Sequence, residues 1–430
     1  MFKKWSKIAL ASFLVLMVGA SIASATTARV RSLANVGDYI SDDSAVNRWY
    51  STLPSFGNQV NAEMGFWDGS SPALQDTRGL GWIHACGDDG KWGTYRITLN
   101  ENALDSPGFW IGNPFYQNHS PGNSNFLPAV GSPTFDDTPM NKWDLAGGWE
   151  LGESIALGLS ITQSKWDAED TAVDAKASNS WLTVGAGFSW TNNDKMVFDA
   201  SLTFGSAGGE QTVGATKVEW DSNTAFDIAA RLFYDWKDNV TVVPVAEYST
   251  SDYSLKSSAG PIAAPNGDKS TDFMLGVGLN MDVNQDNMIV LALEYMHQSF
   301  EYSNPDTTAA SLDQITATYL PTVRLALETQ VTSWLTTRVG AAKYLVSIEQ
   351  KTIGGDKLKE TAGAPIFNAA QLSPSGFDWF LGCGFNVAEW TIDLELASET
   401  PFNLGYWLTG YTNYTTGSGP VTHIAAVWNY

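Results

Sequence analysis

The sequence predicts an all-β chain: a transmembrane antiparallel β-barrel of about sixteen strands, with a short N-terminal plug segment. Three observations predict it. Segments of about ten residues alternate apolar and polar side chains with period two. Their apolar faces end in aromatics, as Trp149, Trp190, Tyr234-x-Trp236 and Trp428-x-Tyr430 show. Short turns and long polar segments follow one another between them. A soluble sandwich also alternates, with its apolar set in a core. The aromatic ends and the short-long order favour the barrel.

The chain opens on Lys3, Lys4 and Lys7, an apolar stretch from Ile8 to about Val18, and small residues ending Ala23-Ser24-Ala25. That pattern reads as a secretory leader over 1–25 with cleavage before Thr26; an uncleaved anchor is the alternative. No other run approaches the ~18 apolar residues of a membrane helix. Acidic residues number 46 against 24 basic ones, a net charge of −22, and a nucleic-acid binder would need a basic footprint. With two cysteines, Cys86 and Cys383, placed far apart around the expected sheet, disulfides do not staple the fold.

The strands then follow in order. Ile155, Leu157, Leu159 and Ile161 alternate with Ala156, Gly158, Ser160 and Thr162. Met196 to Phe204 alternates with Asp199, Ser201 and Thr203 on the polar face. Phe226, Ile228, Leu232, Tyr234 and Trp236 face away from Asp227, Arg231 and Asp235. Phe273 to Met281 opposes Asp272, Gly276, Gly278 and Asn280. Ile315, Ala317, Tyr319, Val323, Leu325 and Leu327 are placed together on one apolar face, opposite Thr316, Thr318, Arg324 and Glu328. Phe377, Trp379, Leu381 and Phe385 oppose Asp378, Gly382 and Gly384. The last strand, Val421 to Tyr430, carries Trp428 and Tyr430 on one face and His423 and Ala425 on the other.

Short turns are expected at Gly87–Gly90, Glu150–Ser154, Asn192–Lys195, Lys237–Asn239, Val283–Asn287, Thr332–Trp334 and Ala388–Trp390. Long polar loops are expected at Asp68–Arg78, Asn102–Pro139, Trp166–Ser178, Ser206–Ser222, Ser254–Lys269, Ser303–Asp313, Lys351–Ser375 and Glu399–Pro420. Brief periplasmic turns and longer outer loops are the habit of such barrels. The count is about sixteen strands, or fourteen if Asn58–Trp67 and Leu80–Cys86 are not strands. Tyr344, Val346 and Ile348 continue on the opposite parity from Leu335 to Ala341, which predicts a bulge near Ala342. Pro244 and Pro321 inside strands are read as local bulges.

Two stretches carry a family resemblance. The final strand resembles the signal by which bacterial outer-membrane barrels are recognised for insertion, with His423 in its polar place and Trp428 and Tyr430 in its aromatic places. The run Arg31 to Trp49 resembles the opening of barrels related to the long-chain fatty-acid transporters, with Gly37, Asp42 and Asp43 matching. Arg48-Trp49-Tyr50 stands where those transporters carry Asn-Pro-Ala. The resemblance implies a plug inside the barrel and leaves the ligand open. The residues agree with it: Arg31, Asp38, Asp42, Asp43 and Arg48 sit beside Leu33, Val36, Tyr39, Ile40, Val46 and Trp49. A loose periplasmic tail is the alternative. The domains are therefore 1–25 leader, 26–56 plug and 57–430 barrel.

Parity gives a lumen-facing set: acids Asp144, Asp199, Asp227, Glu247, Asp272, Glu294, Glu328, Asp378, Asp393 and Glu395 against bases Arg96, Lys142, Arg231, Arg324 and Arg338. In a water-filled pore such carboxylates favour cations; in a filled lumen the same charges form ion-pair networks. Asp393 and Glu395 share a face, yet paired acids on a wall are more often lining than a catalytic pair. His84, His119, His297 and His423 lack metal-ligand spacing, and no nucleophile elbow or phosphate loop occurs. No enzyme, metal or cofactor is expected. The aromatic-rich Asn102–Pro139 is expected as a constriction, a ligand surface or a self-packed cap, with Glu399–Pro420 beside it. Acid-rich Asp167–Asp174 lacks calcium-loop spacing.

The expected function is a channel for small solutes with an acidic lumen and modest cation preference. The alternatives are a carrier of hydrophobic molecules and a closed surface-attachment scaffold. Expected partners are outer-membrane lipid, the barrel-assembly machinery through the C-terminal strand and a small solute, with further copies of the chain left open and no nucleic acid.

Overall fold

The computed structural model describes residues 26–65, 78–87, 90–101, 141–170, 175–192, 195–213, 216–257, 269–301, 312–352, 357–362, 377–396 and 421–430. The expected leader and the loops Asn102–Pro139 and Glu399–Pro420 lie outside these residues.

Seventeen strands form one antiparallel sheet. They are β1 (Gln59–Gly65), β2 (Arg78–Ala85), β3 (Thr94–Glu101), β4 (Asn141–Glu150), β5 (Ile155–Asp170), β6 (Ala175–Asn192), β7 (Met196–Val213), β8 (Thr216–Lys237) and β9 (Val240–Ser257). Then come β10 (Lys269–Asn284), β11 (Asn287–Glu301), β12 (Leu312–Thr332), β13 (Leu335–Thr352), β14 (Lys357–Ala362), β15 (Phe377–Val387), β16 (Trp390–Leu396) and β17 (Val421–Asn429). Each pairs with its sequence neighbour, except that β14 and β15 both pair with β13, and β17 pairs back onto β1 from Gln59↔Asn429 to Gly65↔His423. The ring is closed, so no backbone edge is left for lipid to solvate. It has sixteen positions, because β14 and β15 share one: the first half of β13 pairs with β15 and its second half with β14.

The outer face is apolar. Leu80, Leu99, Leu159, Val184, Ile228, Leu293 and Leu325 are exposed on it, as a lipid-facing wall requires. Trp236, Trp334, Trp390, Trp428 and Tyr430 are exposed at the short-turn end, where aromatic girdles meet headgroups. Trp390 stacks on Trp428 at 6.0 Å across the β16–β17 pair. The turn between β2 and β3 uses Gly87, Gly90 and Gly93, all with positive φ, a conformation costly to any residue with a Cβ.

Several expectations need correcting. Strands β5 to β8 extend into Trp166–Ser178 and Ser206–Ser222, where loops were expected: β5 reaches Asp170, β6 starts at Ala175, β7 reaches Val213 and β8 starts at Thr216. Polar alternation such as Glu210, Gln211 and Thr212 satisfies a ladder in water as well as apolar alternation does in lipid. The expected bulge near Ala342 is absent: β13 keeps one phase, with Arg338, Ala342, Val346 and Ile348 all buried on the inner face. Pro244 also keeps its register opposite Val277. The bulge expected at Pro321 is present on β12, where Tyr319↔Val346 is followed by Thr322↔Tyr344. The extra residue exchanges the faces of the strand. Ala317 and Tyr319 therefore point inward and are buried, although parity counted from Val323 put them outside.

Candidate functional site

Residues 26–56 fold into one helical turn and three 3-10 segments packed among inward side chains. Helix α1 (Thr27–Ser32) is capped by Thr26, whose hydroxyl accepts from the Arg29 amide, a preferred N-cap arrangement. The 3-10 segments are Gly37–Tyr39, Asp43–Asn47 and Tyr50–Ser55. Leu33, Val36 and Leu53 are fully buried, which a loose tail would not give.

Glycines in the wall let this backbone approach. A Cβ at Gly158 would sit 2.2 Å from the Tyr50 carbonyl carbon, and one at Gly187 would sit 2.6 Å from the Ser51 nitrogen. Across the ring, Gly276 and Gly278 face the Tyr39 side chain and Gly340 faces Ala34. Where the strands carry no side chain, the plug takes its place.

Charges bind the plug to the wall. Arg29 donates two hydrogen bonds of 2.8 Å to Glu328 and lies 3.6 Å from Asp42. Burial pushes the Asp42 carboxyl above its ordinary range, and Arg29 pulls it back. Arg31 meets Glu395 at 3.9 Å. Arg48 lies 2.6 Å from Glu247, 3.3 Å from Asp227 and 3.5 Å from Asp38. Wall arginines reach the other way. Arg231 Nε pairs with Asp199 at 2.9 Å, and its Nη1 donates to the carbonyls of Gly37, Asp38 and Ile40. Its guanidinium also covers the Trp49 ring at 4.5 Å. Arg324 pairs with Glu294 and donates to the Ala34 carbonyl at 2.8 Å, while the Tyr39 hydroxyl donates to Glu294. Arg338 bridges Glu328 and Asp393, each at 2.6 Å. Arg96 pairs with Asp144 and donates to Asn47.

Of the residues singled out from parity, Asp272 is buried on the inner face of β10 and Asp378 half-buried on β15. Asp43 is buried where the plug faces β1–β3. Sequence reasoning missed Arg29 and Ser32; the signal was an arginine between small residues in Thr-Ala-Arg-Val-Arg-Ser. It also missed that part of the lumen is apolar. Val243, Val245, Met274, Val290, Ala292, Met296, Tyr319, Val346 and Ile348 form one buried cluster with Leu33, Val36, Tyr39 and Ile40. Register places Met274, Met296, Tyr319 and Val346 side by side in one row, a step further from the short turns than the row holding Gly276 and Glu294. Opposite this sector, a polar cavity of about 40 Å³ separates the plug from β1–β3, lined by Asp43, Asn47, Asn61, Glu63, Gly81 and Thr98 among others. Among the described residues, no group of three or more His, Cys, Asp or Glu could hold a metal ion.

No curated protein matches the chain. Among solved structures, the Pseudomonas putida toluene transporter TodX is 10% identical, with 95% of this chain and 98% of that chain covered and a TM-score of 0.41. A Pseudomonas aeruginosa FadL homologue is 12% identical, with 94% and 98% covered and a TM-score of 0.40. The copper transporter OprC is 11% identical over 79% of this chain, which spans 60% of its length, with a TM-score of 0.41. Similarity of this size carries no substrate with it. Residues 140–317, the wall from the start of β4 into β12, match the family model of the outer membrane protein beta-barrel domain. With its ring closed and its outer face apolar, the chain has the fold of a closed antiparallel β-barrel, and about two fifths of it is similar to the outer membrane protein beta-barrel domain.

Proposed function

We propose that the protein resides in a bacterial outer membrane and passes small apolar molecules, with residues 26–56 as the gate. The observation that carries this reading is the inward apolar row Met274, Met296, Tyr319 and Val346 beside the plug. Barrel interiors are ordinarily polar, and an apolar lining at that depth suits a solute that sheds its water. The acids that suggested cation preference support it less, because Asp144, Asp199, Asp227, Glu247, Glu294, Glu328, Asp393 and Glu395 each lie against an arginine. No catalytic role is proposed.

Binding of a fluorescent apolar probe to the purified barrel tests the reading. Val346→Asn with Met296→Gln is expected to weaken binding about thirtyfold, each polar group costing on the order of 1 kcal/mol in an apolar pocket. Unchanged affinity, or no binding by the natural protein, would sink the apolar path. A hydrophilic, cation-preferring channel is the second reading, favoured by the polar cavity along β1–β3. Steady cation-selective openings in a planar bilayer, with the probe unbound, would establish it instead.

The C-terminal strand is proposed as the contact for the assembly machinery. Tyr430 donates its amide to the Asn58 carbonyl at 3.0 Å and accepts from the Trp82 indole at 2.7 Å. Deleting it is expected to lower the heat-modifiable barrel recovered from membranes several-fold, while refolding in detergent changes little. An equal loss in both would assign Tyr430 to barrel stability alone.

A further inference from the structure

The leader pattern ends one residue before Thr26, and Thr26 is already packed in the plug. Ala23-Ser24-Ala25 precedes Thr26, and Thr26 is 1% exposed. Its hydroxyl donates to Asp393 at 2.9 Å, and the next backbone nitrogen, that of Thr27, donates to Glu63 at 3.1 Å. Backbone dimensions put the Thr26 nitrogen within about 4 Å of both donor atoms. His423 stands 3.6 Å from the far oxygen of Glu63. Around this point lie the carboxylates Glu63, Asp393, Glu328, Glu395 and Asp42, facing the guanidiniums of Arg29, Arg31 and Arg338. Arg231 also acts on Asp42, and among the described residues Glu63 has His423 as its one ionisable partner, with no arginine against it. A buried carboxylate without a full cationic partner is costly, so the seat beside Glu63 suits one more positive group.

We infer that cleavage after Ala25 supplies that group: Thr26 becomes a buried α-ammonium that joins Glu63 and Asp393 and locks the plug in its seat. Hydrolysis of the Ala25–Thr26 bond by a leader peptidase consumes one water, leaving a carboxylate on Ala25 and an ammonium on Thr26. The same cut removes an apolar run that has no place beside a sealed residue in the lumen. Maturation and gate closure are then one event, whatever the barrel passes.

The test uses protein expressed with its own leader and isolated from membranes. Intact mass should place the terminus at Thr26. Acetylation by an N-hydroxysuccinimide ester near neutral pH should be at least tenfold slower at this amine in the folded barrel than after unfolding. Glu63→Gln should recover much of that reactivity while the barrel keeps its heat-modifiable migration. A refolded chain keeping Ser24 and Ala25 ahead of Thr26 should be cut by trypsin after Arg29 and Arg31, and a chain starting at Thr26 should resist. A terminus elsewhere, an amine reacting at its unfolded rate, or equal protection of the two refolded chains would overturn the inference.

Discussion

Valine at both Gly158 and Gly187 is expected to unseat the plug and leave the barrel intact. Each new side chain meets backbone of Tyr50 or Ser51 at 2.2–2.6 Å already at its Cβ, and backbone in a packed seat cannot turn aside as a side chain can. Overpacking costs about 1–3 kcal/mol per site, so the pair should shift the seated–unseated balance by about 4 kcal/mol, roughly a thousandfold. The β5–β6 ladder itself has room, since Gly158 pairs with Gly187 on the same inner face. The expected readout is a rise in single-channel conductance and rapid tryptic cleavage after Arg29, Arg31 and Arg48. Ala200→Val, on the outer face of β7, is the control that should do neither. A double variant with unchanged conductance and protection would mean that the glycines do not hold the plug.

Removal of one cation should have an effect of similar size. Arg48→Ala leaves Asp227 and Glu247 facing each other across a pairing of β8 and β9, with Asp38 nearby and the guanidinium that joined them gone. Breaking a buried pair from one side costs about 3–5 kcal/mol. Tryptic cleavage after Arg29 and Arg31 should accelerate at least a hundredfold. Adding Asp227→Asn and Glu247→Gln should restore much of the protection, because no uncompensated charge then remains. If the triple variant is no better than Arg48→Ala, the arginine acts through packing against Trp49, 5.6 Å away, more than through its ion pairs.

The ring was legible in the sequence because two rules act together there. Period two names the lipid face, and turn residues such as Asn192, Asp238 and Asn239 mark where strands reverse. The closing pair β1–β17 follows from counting; β14 (Lys357–Ala362) does not, since it lies inside Lys351–Ser375, where a long loop was expected. The lumen was only half legible. Its acids show themselves as polar residues on otherwise apolar strands, and Arg31 and Arg48 stood out as plug charges, but their segment has no periodicity to show which acid each meets, or the part of Arg29. The apolar sector was hidden by the rule that found the strands. Where an inner face is itself apolar, hydropathy cannot tell inside from outside, so Val346 and Ile348 looked like a change of phase. The real change, at Leu320–Pro321, was marked by its proline, yet its consequence for Ala317 and Tyr319 needs the neighbouring strands in register to be seen.

The strands differ greatly in length: β5 to β13 hold 15 to 22 residues, whereas β1 to β3 hold 7 or 8. A tilted strand crosses the hydrocarbon in about 9–11 residues. The remainder of each long strand stands beyond the bilayer with water on both sides, and there the in–out code that fixes register is weak. The ladder β7–β8 slips between Phe204 and Gly208, and β8–β9 slips between Ser222 and Thr224, both above the buried belt. Exposed pairs such as Lys217 with Glu210 and Glu219 decorate the rim there. Residues of that rim can therefore be exchanged, lengthened or shortened at small cost to the packed seat beneath.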